Sequence, residues 1–275
     1  MASKKPKPPT PQELSQQYLT QTNLLSNKVA GFAKKRFLDI GDVTDTAVAT
    51  YLKSVLPLIT ASTVQMSNMT RGYYATMASL LGQPFNPKSL SRSALNPSAL
   101  RGGQVGAEEI YTRGFVTARI ALSNGKPIDQ ALNEGAARIF NIARTDLQLA
   151  KTQTGLFVRG GNSNIVGYAR TLSGSENCGL CYVASTQRYH KKDLLPIHPG
   201  CDCGEMPIYG NQDPGQVIDE ANLEATHEAI ATRFGASARD AREIDYRLIT
   251  IEQHGEIGPM LTVKGHKFTG RGSVN

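Results

Sequence analysis

No stretch of this 275-residue chain approaches the roughly 18 consecutive apolar residues needed to cross a bilayer. With 40% hydrophobic residues and a mean hydropathy of −0.30, the sequence predicts a soluble chain, long enough to bury a substantial core. The opening residues, MASKKPKPPTPQ, are basic and proline-rich, with no apolar stretch behind the charges, so they do not read as a secretory signal. Folding in a reducing cytoplasm is then expected, which argues against disulfides. Acidic residues are missing over a long interval: none occurs between Asp45 and Glu108, where Lys53, Arg71, Lys88, Arg92 and Arg101 all lie. Residues 1–125 hold 14 Lys and Arg against 6 Asp and Glu, residues 126–215 hold 9 against 8, and residues 216–275 hold 7 against 9. The net charge of +7 is therefore carried by the first half. Such a half suits nucleic acid or an acidic protein surface, with Lys4, Lys5, Lys7, Lys34, Lys35, Arg36 and Arg71 as candidate contacts. A merely solvated basic surface is the alternative, because the charge is diffuse and carries no reader motif.

Enzyme signatures are missing as well. There is no G-x-S-x-G, no P-loop and no G-x-G-x-x-G. HEAIA (227–231) is half of a zincin motif, but Ala231 stands where the second histidine is required. His254 and Glu256 read as polar residues at a helix end rather than an acid–base pair, and His190 with Lys191 and Lys192 reads as a solvated loop. No internal repeat or heptad pattern appears, and no low-complexity tract beyond the first nine residues.

What is present is mostly helical. TPQE predicts a helix start, with Thr10 as N-cap, Pro11 in the first turn and Glu13 closing a capping box. Apolar residues from Leu14 to Phe37 carry that helix to about Leu38. A second helix is expected from about Val43 to Leu81, kinked or split at Pro57. Residues 82–103, rich in Pro, Gly, Ser and Asn, read as a loop or hinge. Helices resume at about Ala107–Ser123 and Ile128–Thr154. IVGYARTLS (165–173) and EMPIYG (205–210) read as strands. Pro214–Phe234 and Ala236 to about Ile251 read as helices, followed by an extended tail. The expected fold class is mainly α with a small α+β zinc-knuckle unit. Its expected parts are a disordered arm (1–9), a helical N-terminal domain (10–103), a core unit with the Cys/His site (104–213) and a helical extension with an extended tail (214–275).

All four cysteines fall between Cys178 and Cys203, a clustering that chance produces in about one chain in 300, so inert buried thiols are a poor explanation. The spacing is C-x2-C, sixteen residues, then H-x2-C-x-C. Cys178 and Cys181 form a knuckle eased by Gly179, and His198, Cys201 and Cys203 form a second cluster bent by Pro199 and Gly200. Four soft or borderline ligands from two loops are the pattern of a closed tetrahedral zinc site, one ion per chain. Five candidates compete for four positions; the short bite of C-x-C favours His198 with one of Cys201 or Cys203 as the completing pair. Paired disulfides would leave His198 unexplained. A papain-like thiol nucleophile is suggested by CGLCY, but Leu180 breaks that pattern and too little chain follows for its histidine.

ARIFNIARTDLQLAKTQTG, then VGYARTLSGSENCGLCYVAS, then LLPIHPGCDCGEMPIYG together resemble the phage head morphogenesis (Mu F-like) minor capsid proteins, of the actinobacteriophage type. The matching positions are Arg144, Thr145, Asp146, Cys178, Cys181, Pro196, His198, Pro199, Cys201, Cys203 and Pro207, over about 75 residues from near Ala136 to Gly210. Asp202 and Asp146 depart from the family's more frequent Arg and Glu. The resemblance implies a structural protein of a tailed-phage head, made in the host cytoplasm and bound to the portal protein in the head interior. It would act in assembly, DNA packaging or ejection, with scaffold or major capsid protein and packaged double-stranded DNA as further partners and no membrane. Some family members are labelled capsid maturation proteases, which makes a peptidase the alternative.

Overall fold

Thr10 and Glu13 close the first helix as the sequence leads one to expect. The Thr10 backbone N–H donates to Glu13 Oε2 at 2.7 Å and the Glu13 N–H donates to Thr10 Oγ1 at 3.2 Å. Helix α1 runs Pro11–Ile40 and ends on Gly41, whose φ of 65° lies in the left-handed region that glycine enters without strain. Thr44 caps α2 (Asp45–Leu80). The computed structural model describes residues 7–173, Cys181, Ala184, Ser185, 188–195, Ile197, 201–210 and Glu228, and the backbone of Ile249–His254 and Gly258–Val263.

Pro57 neither splits nor ends α2, contrary to expectation; the helix is continuous over 36 residues. Pro57 is exposed, while Val55 and Ile59 on either side of it are fully buried. Packing on the inner face offsets the missing hydrogen bond on the outer one. Among the described residues, α2 is long and apolar enough to cross a membrane by length and composition. It is used here as a packing helix. Its inner face carries Tyr51, Ser62, Thr63, Ser67, Thr70, Tyr73 and Tyr74, and these meet α1 and the later helices. Tyr18 of α1 stacks on Tyr73 at 4.2 Å between ring centres, and its hydroxyl bonds Thr70 Oγ1 at 2.8 Å. Tyr51 reaches Ala33 O, so α1 and α2 form an antiparallel hairpin.

The segment expected to be a hinge is docked. A 3₁₀ turn (Ser93–Leu95) and a short helix α3 (Pro97–Leu100) bury Leu95, Pro97 and Leu100. Thr63 donates to Leu95 O at 2.7 Å and Gln153 to Leu100 O at 2.7 Å. The main core runs across residue 103 without a break, joining Phe37, Tyr51 and Ile59 to Phe115, Ile139 and Leu147.

Helix α4 (Ala107–Ser123) and α5 (Ile128–Gly161) form a second hairpin. Gly114 and Gly135 bring their backbones together: a Cβ on Gly135 would lie 2.5 Å from Gly114 O and 2.7 Å from Phe37 Cζ. Helix α5 continues seven residues past the expected Thr154, through GLFVRGG. Every residue from Thr145 to Thr152 is buried, so α5 is covered on all sides rather than along one stripe.

Strands β1 (Ile165–Thr171), β2 (Arg188–His190) and β3 (Gly204–Tyr209) make an antiparallel sheet in the order β2-β1-β3. His190 is exposed, as expected, but it closes β2 rather than sitting in a loop; at three residues the strand is too short to show a period. Gly167 lets β2 approach, since a Cβ there would meet Tyr189 O at 2.7 Å. All six residues of β3 are buried, and Gly204 lies against Leu19 of α1. A second core gathers Tyr18, Leu19, Tyr73, Tyr74 and Met77 against Val158, Ile165, Met206 and Tyr209.

Strands β4 (Ile249–His254) and β5 (Gly258–Val263) pair with each other, Ile249 opposite Val263 and His254 opposite Gly258. This corrects the helix expected to reach Ile251 and the helix end expected at His254: the β-branched, alternating ITIEQH finds an antiparallel partner in the extended tail. Most of the two C-terminal helices expected over 214–251 lies outside the described residues. The fold is mainly helical with a small three-stranded antiparallel sheet.

The glycine contacts set one expectation. Gly135→Ala forces two tightly packed elements apart and should destabilise by about 1–3 kcal/mol. Gly160→Ala, whose Cβ meets nothing within 4 Å, should be neutral or slightly stabilising. Urea unfolding of both variants checks the pair.

Candidate metal centre

Three cysteines converge where β1, β3 and α5 meet. Cys201 and Cys203 precede β3, and their i, i+2 spacing in a chain about to become a strand places both side chains on one face, with Asp202 between them. Cys181 enters from the segment after β1. The three sulfurs lie within 4.8 Å of one another, and all three residues are buried. Both members of the C-x-C pair thus join Cys181, where only one was expected; the bite is short along the chain but wide enough across it. Cys181 Sγ and Cys201 Sγ are 3.9 Å apart, far longer than a disulfide bond of about 2 Å. Tetrahedral zinc with Zn–S bonds of about 2.3 Å places its sulfurs about 3.8 Å apart. The donor set therefore fits a thiophilic ion in spacing and in chemistry.

Helix α5 holds the C-x-C segment through its backbone. Gln148 donates to Cys203 O at 2.9 Å, and Lys151 Nζ donates to Asp202 O at 3.3 Å. Arg170 of β1 is fully buried and points its Nη1 at Cys181 Sγ (3.7 Å) and Cys201 Sγ (3.8 Å). Burial works against the Arg170 cation, but the charges of Cys181, Cys203 and Cys201 outweigh it and hold the guanidinium pKa well above its ordinary value. Burial depresses the Lys151 ammonium below its ordinary range, with Cys201 and Cys203 opposing. For Cys203, a bond with Cys181 favours the thiolate; the bond with Cys201 and burial together prevail and push that thiol up.

Two buried ionic knots fix α5 on either side of this cluster. Arg101 Nε donates to Asp146 Oδ1 at 2.7 Å, the Tyr111 hydroxyl donates to Asp146 Oδ2 at 2.8 Å, and Asp146 is fully buried. Burial, and then the Asp146 charge, hold the Tyr111 phenol protonated, which suits it as donor. This gives the Arg-Thr-acidic stretch a role in structure: Asp146 ties α3 and α4 to α5. Thr145 bonds back to Asn141 O, and Arg144 lies over the Phe140 ring. Further along, Arg159 pairs with Glu205 of β3, and the Tyr74 hydroxyl donates to Glu205 Oε1 at 2.6 Å. Arg159 also donates to Lys191 O and Asp193 O and lies over the Tyr168 ring at 4.0 Å. A Cβ on Gly155 would collide with the Glu205 carboxylate, so that glycine makes room for the pair.

Of the five expected ligands, Cys181, Cys201 and Cys203 come together; Cys178 and His198 lie outside the described residues. Lys4 and Lys5 do also. Lys7 is exposed just before α1. Lys34, Lys35 and Arg36 lie near the end of α1, where Lys35 pairs with Asp39 and Arg36 donates to Ser54. Arg71 bonds Asn68 some seventeen residues beyond Ser54 on α2, about 25 Å along the helix. The hairpin therefore spreads these cations along its length rather than gathering them. Arg170, Lys151, Gln148, Arg159 and Glu205 were not anticipated. Their only signal in the sequence is a set of charged and amide side chains inside segments that otherwise read as core.

Asp146→Ala leaves Arg101 buried without its carboxylate and should cost about 3–5 kcal/mol. Tyr111→Phe removes one hydrogen bond to a charged group and should cost about 1.5–3 kcal/mol. Denaturant midpoints of the two variants against the parent check the order.

Compared with family models, with curated proteins and with solved structures, the chain matches none of them.

Proposed function

We propose that this chain is a structural minor protein of a tailed-phage head, associated with the portal, whose unit around the cysteines is held by one structural zinc ion. The observation that carries this reading is the convergence of Cys181, Cys201 and Cys203 against the helix bearing Arg144, Thr145 and Asp146. Those are the motifs on which the resemblance to the Mu F-like proteins rests, and they come from segments far apart in sequence. Cys181, Cys201 and Cys203 are three of the zinc ligands, and Cys178 or His198 supplies the fourth. The ion's work is architectural: it ties the ends of the loop between the two cysteine pairs to the start of β3 and to α5. The same knuckle gives the small sheet a rigid edge over a helical bundle. The helical hairpins and the basic first half then serve as the gripping surfaces, toward the portal, scaffold or major capsid protein, or the packaged genome.

Two measurements test the two parts. Elemental analysis of the reduced, purified chain should give about one zinc per chain, and Cys181→Ser should abolish retention of the ion and expose the 160–210 region to protease. A reduced protein that carries no zinc, and takes up none when it is supplied, overturns the metal. Mass spectrometry of purified virions should find the chain at low copy number relative to the major capsid protein and near that of the portal. Virions that lack it overturn the head assignment.

A further inference from the structure

Arg170 occupies an inhospitable position for a cation. It is fully buried, on the central strand of the sheet, and its guanidinium faces sulfur. Among the described residues, these groups surround it. Directly across the β1–β3 ladder stands Glu205, whose Oε1 already accepts from Tyr74 and pairs with Arg159. From β2, Tyr189 bonds Arg170. From the cysteine segments come Cys181 and Cys201 at 3.7 and 3.8 Å, with Cys203 beside them. From α5, Lys151 brings a second buried cation to the same C-x-C stretch, its Nζ bound to Asp202 O. Two cations from two different elements thus border one cluster of three thiols. Placing two positive charges against neutral thiols gains little, whereas placing them against thiolates repays much of their desolvation.

A divalent ion on three thiolates has displaced three thiol protons to solvent and left a centre of charge −1. A neutral imidazole as fourth ligand keeps that charge and a fourth thiolate doubles it, so the centre is anionic in either case. Buried anionic centres need outer partners, and such partners commonly govern metal affinity as strongly as a weak ligand does.

We propose, resting on the metal reading above, that Arg170 is the outer-sphere partner of the centre: its guanidinium donates N–H···S hydrogen bonds to the Cys181 and Cys201 thiolates and, with Lys151, balances the charge of the metal–thiolate cluster. Arg170 is a positioning residue and touches no metal. Its part is to hold the Cys181 and Cys201 sulfurs through Nη1.

The test uses the full-length reduced chain with Co2+ as the probe and Zn2+ competition to set affinity. The parent protein should load Co2+ with intense sulfur-to-metal charge-transfer absorption. Arg170→Met, of similar length and uncharged, should weaken metal binding 10–100-fold and shift that band, because the thiolates lose a hydrogen-bond donor. Arg170→Lys should recover much of the lost affinity. Equal affinity and an unshifted band in folded Arg170→Met overturn the proposal while leaving the metal site intact. A parent chain that binds neither ion overturns the metal reading and this proposal together. If Arg170→Met does not fold, the parent protein loaded with 113Cd decides: a through-bond correlation between cadmium and the Arg170 guanidinium protons is expected, and its absence overturns the proposal.

Discussion

Arg159 and Glu205 meet at the junction of α5, the β3 strand and the inner face of α2, beside the second apolar core that these three elements share. The pair lies in the interior, with Arg159 fully buried and Glu205 4% exposed. An ion pair in such a place does little for net stability against an apolar replacement, because desolvating both charges consumes most of the attraction. Losing one partner is different, since the other is left as a buried charge. The pair therefore acts as a fit condition. Glu205 must be on β3 at the height of Gly155, where the missing side chain leaves it space, and Tyr74 must be on α2 to donate to the same oxygen. A slip of one residue in the β1–β3 register would turn Glu205 to the other face. The register also decides where Cys203 begins the strand, so it decides where the thiols converge.

The Arg101–Asp146–Tyr111 knot imposes the same kind of condition thirteen residues earlier on α5. Between the two knots lie Gln148 and Lys151, which hold the C-x-C backbone. Helix α5 thus carries a polar track inside the protein, which ties it in turn to Arg101 and α4, to the C-x-C segment and to β3. Such a track adds little stability for the area it buries. What it supplies is uniqueness, because a helix covered on all sides by apolar contacts alone could slide or rotate between nearly equivalent packings.

The sequence was most legible where local chemistry decides the outcome. The capping box at Thr10 and Glu13 gave the start of α1, and the expected bounds at Ser123 and Ile128 are those of the α4–α5 turn. It was least legible where tertiary contact overrides local preference. Pro57 carries a strong breaking signal, and the α2 core face, with Val55 and Ile59 buried beside it, overrides that signal. The end of α5 lies seven residues beyond the expected Thr154, and within that added stretch Gly155 is the space that Glu205 needs. Within the candidate site, the clustering of Cys181, Cys201 and Cys203 was legible from spacing, though only one of the last two was expected to join Cys181. The cations around them were not, because a buried arginine on a strand reads like any polar position until its partner is known. The scattered basic residues mark the opposite limit. Composition shows an excess of charge, but only the hairpin's length shows that Arg36 and Arg71 stand far apart.

In the proposed reading, a metal ion would join the helical core to the small sheet. The helical part packs around Phe37, Tyr51, Phe115 and Ile139, and the same core continues to Cys181, Cys201 and Cys203. The sheet has only three strands, one of them three residues long, and a sheet of that size holds together only when packed on something else. It packs on α5 and α1, but the connection from β1 to β3 spans more than thirty residues, and closing it costs chain entropy that the short β2 strand cannot offset. The proposed ion on Cys181, Cys201 and Cys203 would close most of that connection at one point, beside Arg170. In that reading the thiols serve closure of the chain and not a substrate. Burial of all three argues the same way, since a centre that exchanges ligands with solvent keeps one side open.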